Sequence, residues 1–440
     1  MLTQHQHQLP PPSPRPTTPT AAAGKDNGSR TTKISVILTV SFFSLLFILT
    51  LSSSSSSPNS SSSSSARVRP DPRLFPARRP TFSKIPSDPA PPSVAYLITG
   101  SKGDSGRILR LLYAVYHPKN RYLLHLDPSA APAERERLAL AVESVPVFRA
   151  AQNVDVIGKP DFAYRRGSSP VAATLHGASL LLKLSKNWDW FVRLGAADYP
   201  LVTQDDLLHI FSYLPKGLNF VSHSNYIGWK ESRRLKPIIV DPGLYLAEKS
   251  YMFHATQRRP LPTSFKLFTG SSFSFLSRNF VEHCILGTDN LPRILLMYFS
   301  NTMSSITSYF PTVLCNSPQF NRTVINQDLQ YKILDQSFRQ EPRALNSTDF
   351  NAMIRSGAAF ATEFQPDDPV LDRIDSDVLG RSPGEIVPGG WCLGDPANGT
   401  CSVWGDANVL RPGKGAARLE KRIVEMLSNG RFRSQQCIFE

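Results

Sequence analysis

Cysteine is scarce in this 440-residue chain: there are five, and no two form a C-x-x-C pair. That argues against the paired thiolates of a structural zinc site. Close acid pairs are scarce too. The one Asp-x-Asp is Asp375-Ser-Asp377, far along the chain in a polar stretch, where it reads as a solvated loop rather than a metal site. No acid at all occurs from Leu291 to Gln327. There is no internal repeat, which sets aside solenoids and propellers. Nor is there a basic stripe interleaved with aromatics, so nucleic acid is not an expected partner.

What is present is unevenly spread. The net charge of +14 divides into ten cations against three acids over residues 1–92 and 39 against 32 over the remaining 348. Each part holds +7, strongly diluted in the larger one, and a weakly basic surface of that kind suits an anionic substrate. Residues 1–92 also hold 15 of the 37 prolines, and 12 of the 14 residues from 52 to 65 are serine. Such composition buries too little apolar surface to offset the entropy of ordering. A disordered tail over 1–33 and a disordered stem over 52–92 are expected.

Between them, residues 34–51 form an uncharged run of 18, near the lower limit for crossing a bilayer of about 30 Å. Lys25, Arg30 and Lys33 precede it, and no cation follows until Arg67. The nearer cations stay cytosolic, so the run reads as the signal-anchor of a single-pass type II protein with its body in the lumen. The alternative is a cleaved signal peptide, but the leader and the apolar run are both long for one. Sequons at Asn59, Asn321, Asn346 and Asn398 suit a lumenal body, while Asn27-Gly-Ser would stay unmodified on the cytosolic side. Cys392 and Cys401 bracket a Gly-, Pro- and Asn-rich loop and are the expected disulfide of an oxidising lumen. Cys284 and Cys315 are either a second pair or buried thiols, and an odd count leaves one cysteine over unless chains cross-link.

From residue 93 the pattern alternates. Val94-Ala-Tyr-Leu-Ile, Arg121-Tyr-Leu-Leu-His-Leu, Val154-Asp-Val-Ile and Trp188-Asp-Trp-Phe-Val-Arg-Leu read as strands. Helical spacing follows over 108–116, 133–145 and 171–182, and Thr203-Gln-Asp-Asp reads as an N-cap with acids in the first turn. Trp188 and Trp190 read as core. This order predicts an α/β fold with a mainly parallel central sheet, whose ligands sit beyond the carboxyl ends of the strands. Thr99, Gly100, Asp127 and Asp198 fall at such ends and are candidate donor contacts, each with an alternative reading as turn chemistry. His125-Leu-Asp127 offers two metal-ligand types, too few for a site. Beyond Phe220 the alternation fades into a loop-rich stretch, 225–262, dividing the body into halves at 93–222 and 223–440. Helices are expected again over 291–303 and 416–427.

The block from Trp188 to Asp198-Tyr-Pro resembles the strand-end motif of the core-2/I-branching family of glycosyltransferases. Gly228-Trp-Lys, Ile238-Ile-Val-Asp-Pro-Gly-Leu-Tyr, Phe268-Thr-Gly-Ser, Asp289-Asn-Leu-Pro-Arg-Ile and Tyr309-Phe-Pro-Thr-Val-Leu-Cys-Asn are similar to its plant branch. That branch holds β-glucuronosyltransferases of arabinogalactan proteins in the Golgi. The resemblance runs from about Val94 to the C-terminus. It implies a GT-A fold, a UDP-sugar donor, a glycoprotein glycan acceptor, inversion at the anomeric carbon and no obligatory metal or other cofactor. Glucuronate is the implied sugar, with xylose and N-acetylglucosamine as alternatives in the same family. It also places Thr269-Gly270-Ser271 at the sugar cleft.

Inverting transfer needs a carboxylate to take the acceptor's proton and, without metal, cations for the departing diphosphate. Lys414, Arg418 and Lys421 around the start of the last helix are candidates for the diphosphate, with a solvated cationic face as the plain alternative. Trp229 beside Lys230 and Arg233 is suited to stacking on a sugar and holding an anionic group, or to packing a loop. The family's basic glutamate stands two residues before the Tyr-Phe of Tyr309-Phe310, and here that position is Thr307. Threonine is no base at neutral pH. Either another carboxylate substitutes, Asp241 or Glu231 by loop placement, or the chain is a pseudo-glycosyltransferase that binds glycans or a partner enzyme.

Overall fold

The computed structural model describes residues 89–245, 251–335, 341–394, 401–428 and 436–437. The tail 1–33, the apolar run 34–51, Asn59, Asn398 and all but the last four residues of the stem lie outside the described residues. Among the described residues, no helix is long and apolar enough to cross a membrane.

The chain opens with β1 (Val94–Gly100), α1 (Ser105–Ala114), β2 (Arg121–Leu126), α2 (Pro132–Ser144), α3 (Pro146–Ala151) and β3 (Val154–Val156). Next come α4 (Ser169–Leu184), β4 (Trp190–Gly195), β5 (Tyr199–Pro200), α5 (Gln204–Ser212), β6 (Asn219–Phe220) and β7 (His223–Ser224). The loop-rich stretch holds α6 (Trp229–Leu235), β8 (Pro237–Val240), α7 (Pro242–Tyr245) and β9 (Phe253–Arg258). After it lie β10 (Thr269–Gly270), β11 (Phe275–Ser277), α8 (Arg278–Ile285), α9 (Leu291–Phe299), α10 (Tyr309–Asn316), β12 (Val324–Ile325) and β13 (Gln330–Tyr331). The last elements are α11 (Phe350–Arg355), β14 (Phe360–Ala361), α12 (Pro369–Ile374) and α13 (Lys414–Leu427).

The main sheet has the order β12-β6-β11-β4-β1-β2-β3. Only β11 runs antiparallel to its neighbours; the other pairs are parallel. Because β11 and β12 come from beyond residue 223, the two halves share one sheet. Strand alternation sorts the side chains into two cores. Tyr96, Ile98, Tyr122, Trp190 and Val192 pack with α1, α2 and α5, while Ala95, Leu97, Leu123 and Phe191 pack with α4, α8, α9 and α10. Helices on both faces explain why these strands read as continuous apolar runs. Gly177 of α4 sits against Leu97, where an added Cβ would lie 2.7 Å from the leucine methyls, so glycine lets the helix close on the sheet.

Several sequence expectations hold and some do not. Thr203 caps α5 in a reciprocal capping box with Asp206. Trp188 and Trp190 are both buried, but in opposite cores, because the strand begins only at Trp190. The helix expected over 291–303 stops at Phe299, and a 3₁₀ turn over Ser305–Thr307 follows Ser304, whose φ is +50°. Cys392 pairs with Cys401 as expected. Cys315 instead pairs with Cys437 near the C-terminus, leaving Cys284 a free thiol, a long-range closure that spacing does not disclose. Asn346 is exposed at a 3₁₀ N-cap, whereas the Asn321 carbonyl accepts from the Cys437 amide.

Asp375-Ser-Asp377 is not a solvated loop. It opens a π-helical turn, and Asp375, 1% exposed, accepts from Arg381, Arg110 and the Tyr199 hydroxyl at 2.6–3.0 Å. The acid ties the C-terminal part of the body to β5 and α1, so it is unavailable to a metal.

His117, before β2, is fully buried 3.6 Å from Asp205, and burial first, then Lys119, lowers its pKa to about 3. The folded imidazole thus stays neutral where the unfolded one, near 6.5, takes a proton. Below that unfolded value the unfolded state binds more protons, so stability falls with pH. The His117 contribution lost between pH 7.5 and pH 5 is about 2 kcal/mol. Urea unfolding at the two pH values should show a smaller acid-dependent loss in His117→Gln; an equal loss would remove His117 as its source.

Candidate active site

The carboxyl ends of the central strands converge as the strand order requires. The Ala196 amide donates to the Thr99 carbonyl at 2.8 Å, and the Asp127 amide to the Gly100 carbonyl at 3.0 Å. The Thr99 hydroxyl donates to the Leu194 carbonyl at 3.1 Å. Asp127 accepts from the Ser129 amide at 2.9 Å and from its hydroxyl, so it performs turn chemistry at the place where a donor contact was expected. Asp198 accepts from the Gly195 amide at 2.7 Å and from Gln330 at 3.1 Å. Burial raises the Asp198 carboxyl above the usual range, against the pull of the Gly195 amide, the Thr362 side chain and Arg193. Beside it a small cavity of about 50 Å³ is lined by Arg107, Arg110, Ala196, Asp198, Tyr199 and Phe364.

A second wall comes from later in the chain. β13 lies beside β14, which in turn pairs with β5 just after Asp198. Gln330 on β13 reaches Asp198, and Lys332 donates to the Ser271 hydroxyl at 2.7 Å and pairs with Asp328. This short segment therefore joins Asp198 to the Thr269-Gly270-Ser271 turn, two groups 73 positions apart in the chain. Gly270 is required where it stands: an added Cβ would lie 1.7 Å from the Ser222 carbonyl oxygen of the adjacent β7 segment. The Thr312 hydroxyl of α10 bonds both the amide and the carbonyl of Phe268 at 3.1 Å, fixing α10 against the same turn.

Thr307 ends the 3₁₀ turn before α10, half-buried, its hydroxyl donating to the Ser304 carbonyl at 2.9 Å. The Ser304 amide donates in turn to the Arg166 carbonyl at 2.8 Å. Arg165 pairs with Glu363 at 2.8 Å, and Arg166 with Glu341. The contacts of Gln330 and Lys332 and the Arg165–Glu363 and Arg166–Glu341 pairs are features that sequence reading missed. No motif marks them, because the partners in each pair come from distant parts of the chain or from short strands that pair only in the fold.

The Core-2/I-branching enzyme family profile matches residues 94–354, more than half of the chain. The chain belongs to that family. It is 52% identical to β-glucuronosyltransferase GlcAT14A of Arabidopsis thaliana over 356 residues, covering 80% of each chain. It is 47% identical to GlcAT14C of the same plant, over 79% of this chain and 85% of the relative. Xylosyltransferase 1 of Rattus norvegicus is 26% identical over 67% of this chain and 36% of the relative. Among solved structures, mouse xyloside xylosyltransferase 1 matches 63% of this chain and 99% of its own at 12% identity, with a TM-score of 0.33.

Within this Core-2/I-branching member, several expected site residues lie elsewhere. Asp241 is fully buried, and its oxygens accept from the Ser168, Ser169 and Gly243 amides at 2.8–2.9 Å. It holds the amides at the start of α4. Glu231 sits in the first turn of α6, its charge facing Arg234. Trp229 is 61% exposed on the same helix with the Lys230 ammonium 6.0 Å from its ring, and Arg233 is exposed, so this group is a surface feature within the loop-rich stretch.

The last helix is the larger correction. The Gly413 amide at its start donates to Asp206 at 2.6 Å, and the Arg411 amide to Asp205 at 2.6 Å. Those acids open α5, whose Gln204 contacts Asn120 just before β2. The Gly413 amide just before α13 is thus already taken by a carboxylate, and the neighbouring Gln204 lies by the amino end of β2. Arg418 donates to the Leu201 carbonyl at 3.2 Å, and Lys414 and Lys421 are exposed. None of the three is brought to Asp127 and Asp198. Finally, His223, Cys315 and Cys437 cluster within 4.8 Å, but the cysteines are joined as a disulfide and offer no thiolate.

Proposed function

We propose that this chain is an inverting, metal-independent glycosyltransferase of GT-A type. Its donor is UDP-glucuronate and its acceptor a galactan chain on arabinogalactan glycoproteins. The observation that carries the proposal is the joining of Asp198 to Ser271 through Gln330 and Lys332. It supports one cleft with a nucleotide end at the strand termini and a sugar end at the Thr269-Gly270-Ser271 turn. The three Arabidopsis relatives at 47–52% identity, all named β-glucuronosyltransferases, support the choice of sugar. The apolar run 34–51 supports a Golgi enzyme anchored as a single-pass type II protein with this body in the lumen.

One observation favours a second reading. At the base position Thr307 offers a hydroxyl that already donates to the Ser304 carbonyl, and α10 has no acid. A cleft that binds donor but turns it over slowly, or serves as a glycan-binding pseudo-enzyme, follows from that substitution. The purified chain should be titrated with UDP-glucuronate, UDP-xylose and UDP-N-acetylglucosamine, with and without chelator, and turnover followed on a β-galactan. Binding of UDP-glucuronate that survives the chelator is expected. Failure of every UDP-sugar to bind would sink the proposal, and binding that needs a restored divalent cation would sink its metal-independent part.

A further inference from the structure

We propose that Lys332 selects a uronate donor over a neutral one; this rests on the reading of the cleft as a UDP-sugar site. Gln330 reaches Asp198 at the nucleotide end, and Lys332, two positions on, reaches Ser271 at the sugar end. Two residues of extended chain span about 7 Å, a distance suited to the step from a diphosphate to the far side of the sugar it carries. Lys332 is the cation at this turn, and its side chain is 24% exposed, so it meets the cleft without being lost in the core.

Its own contacts leave room for a substrate. An ammonium has three N–H donors, and Ser271 and Asp328 take two of them. Asp328, 4% exposed at its side chain, compensates the charge from behind, and the Ser271 hydroxyl sets the direction of approach. A carboxylate at C6 of the donor sugar takes the third N–H as a charge-assisted bond in a partly desolvated setting. A neutral C6 hydroxyl gains far less from the same ammonium. UDP-glucuronate and UDP-glucose differ at that carbon alone, so the pair isolates the effect.

The test compares the binding of UDP-glucuronate, UDP-glucose and UDP by calorimetry to the wild-type chain, Lys332→Met and Lys332→Arg, with thermal unfolding to follow the fold. Expected is a wild-type preference for UDP-glucuronate. Lys332→Met should weaken that donor about tenfold or more while leaving UDP-glucose and UDP near their wild-type affinities, and Lys332→Arg should restore most of the preference. Equal weakening of both donors would make Lys332 a strut between Ser271 and Asp328 and overturn the assignment. So would an unchanged preference in Lys332→Met. A wild-type chain that binds neither UDP-sugar nor UDP overturns the cleft reading itself, and the assignment with it.

Discussion

Thr307→Glu is expected to raise the rate of sugar transfer by about 10²–10⁴-fold, the range a positioned general base contributes. The wild-type hydroxyl donates to the Ser304 carbonyl and is not basic at neutral pH. Glutamate at the same position supplies the carboxylate that deprotonates the acceptor. The gain belongs in turnover rather than in donor affinity, because the Ser271 and Asp198 contacts are untouched. Thr307→Gln, similar in size but without basicity, should give no gain, and the pH–rate profile of Thr307→Glu should acquire a limb set by the new carboxyl. A wild-type rate equal to that of glutamate-bearing relatives, with no increase in the glutamate variant, would show that the proton leaves by another route.

The second large effect is on stability. Asp375→Ala should cost about 3–5 kcal/mol, the usual penalty for breaking a buried ion pair from one side. It strands Arg381, whose side chain is fully buried, and removes the acceptor of the Tyr199 hydroxyl. Arg110 keeps Asp372 as a partner, so it is less affected. The urea midpoint should fall steeply at constant m-value, whereas Asp377→Ala, on an exposed acid of the same turn, should change it little. Similar small effects from both would show that the Asp375 network is dispensable.

Much of the scaffold was legible because its signals are local. Short apolar-rich runs marked β1, β2 and β4, the 3.6-residue spacing marked α1 and α4, and Thr203 with Asp206 marked the start of α5. Asp127 and Asp198 do lie at strand carboxyl ends, as parallel strands require, though Asp127 bonds its own turn through Ser129. The cleft's second wall was not legible. Gln330 and Lys332 sit in a polar stretch with no periodicity, and their importance arises only when β13 lies down beside β14. The last helix misled for the same reason. Lys414, Arg418 and Lys421 around a glycine-rich helix start look like an anion site, yet Asp205 and Asp206 take the Arg411 and Gly413 amides just before it.

The sequence by itself determined the α/β alternation, the capping of α5 and the Cys392–Cys401 pairing. Each depends on neighbours within a few residues, whose backbone preferences and side-chain reach are set locally. Only the tertiary structure decided that Cys315 closes onto Cys437, that Asp375 is a buried anchor, that Asp241 caps α4, and that Lys332 lies against Ser271. Those outcomes depend on which distant segments share a surface, a matter of packing and charge compensation that chain order does not encode locally.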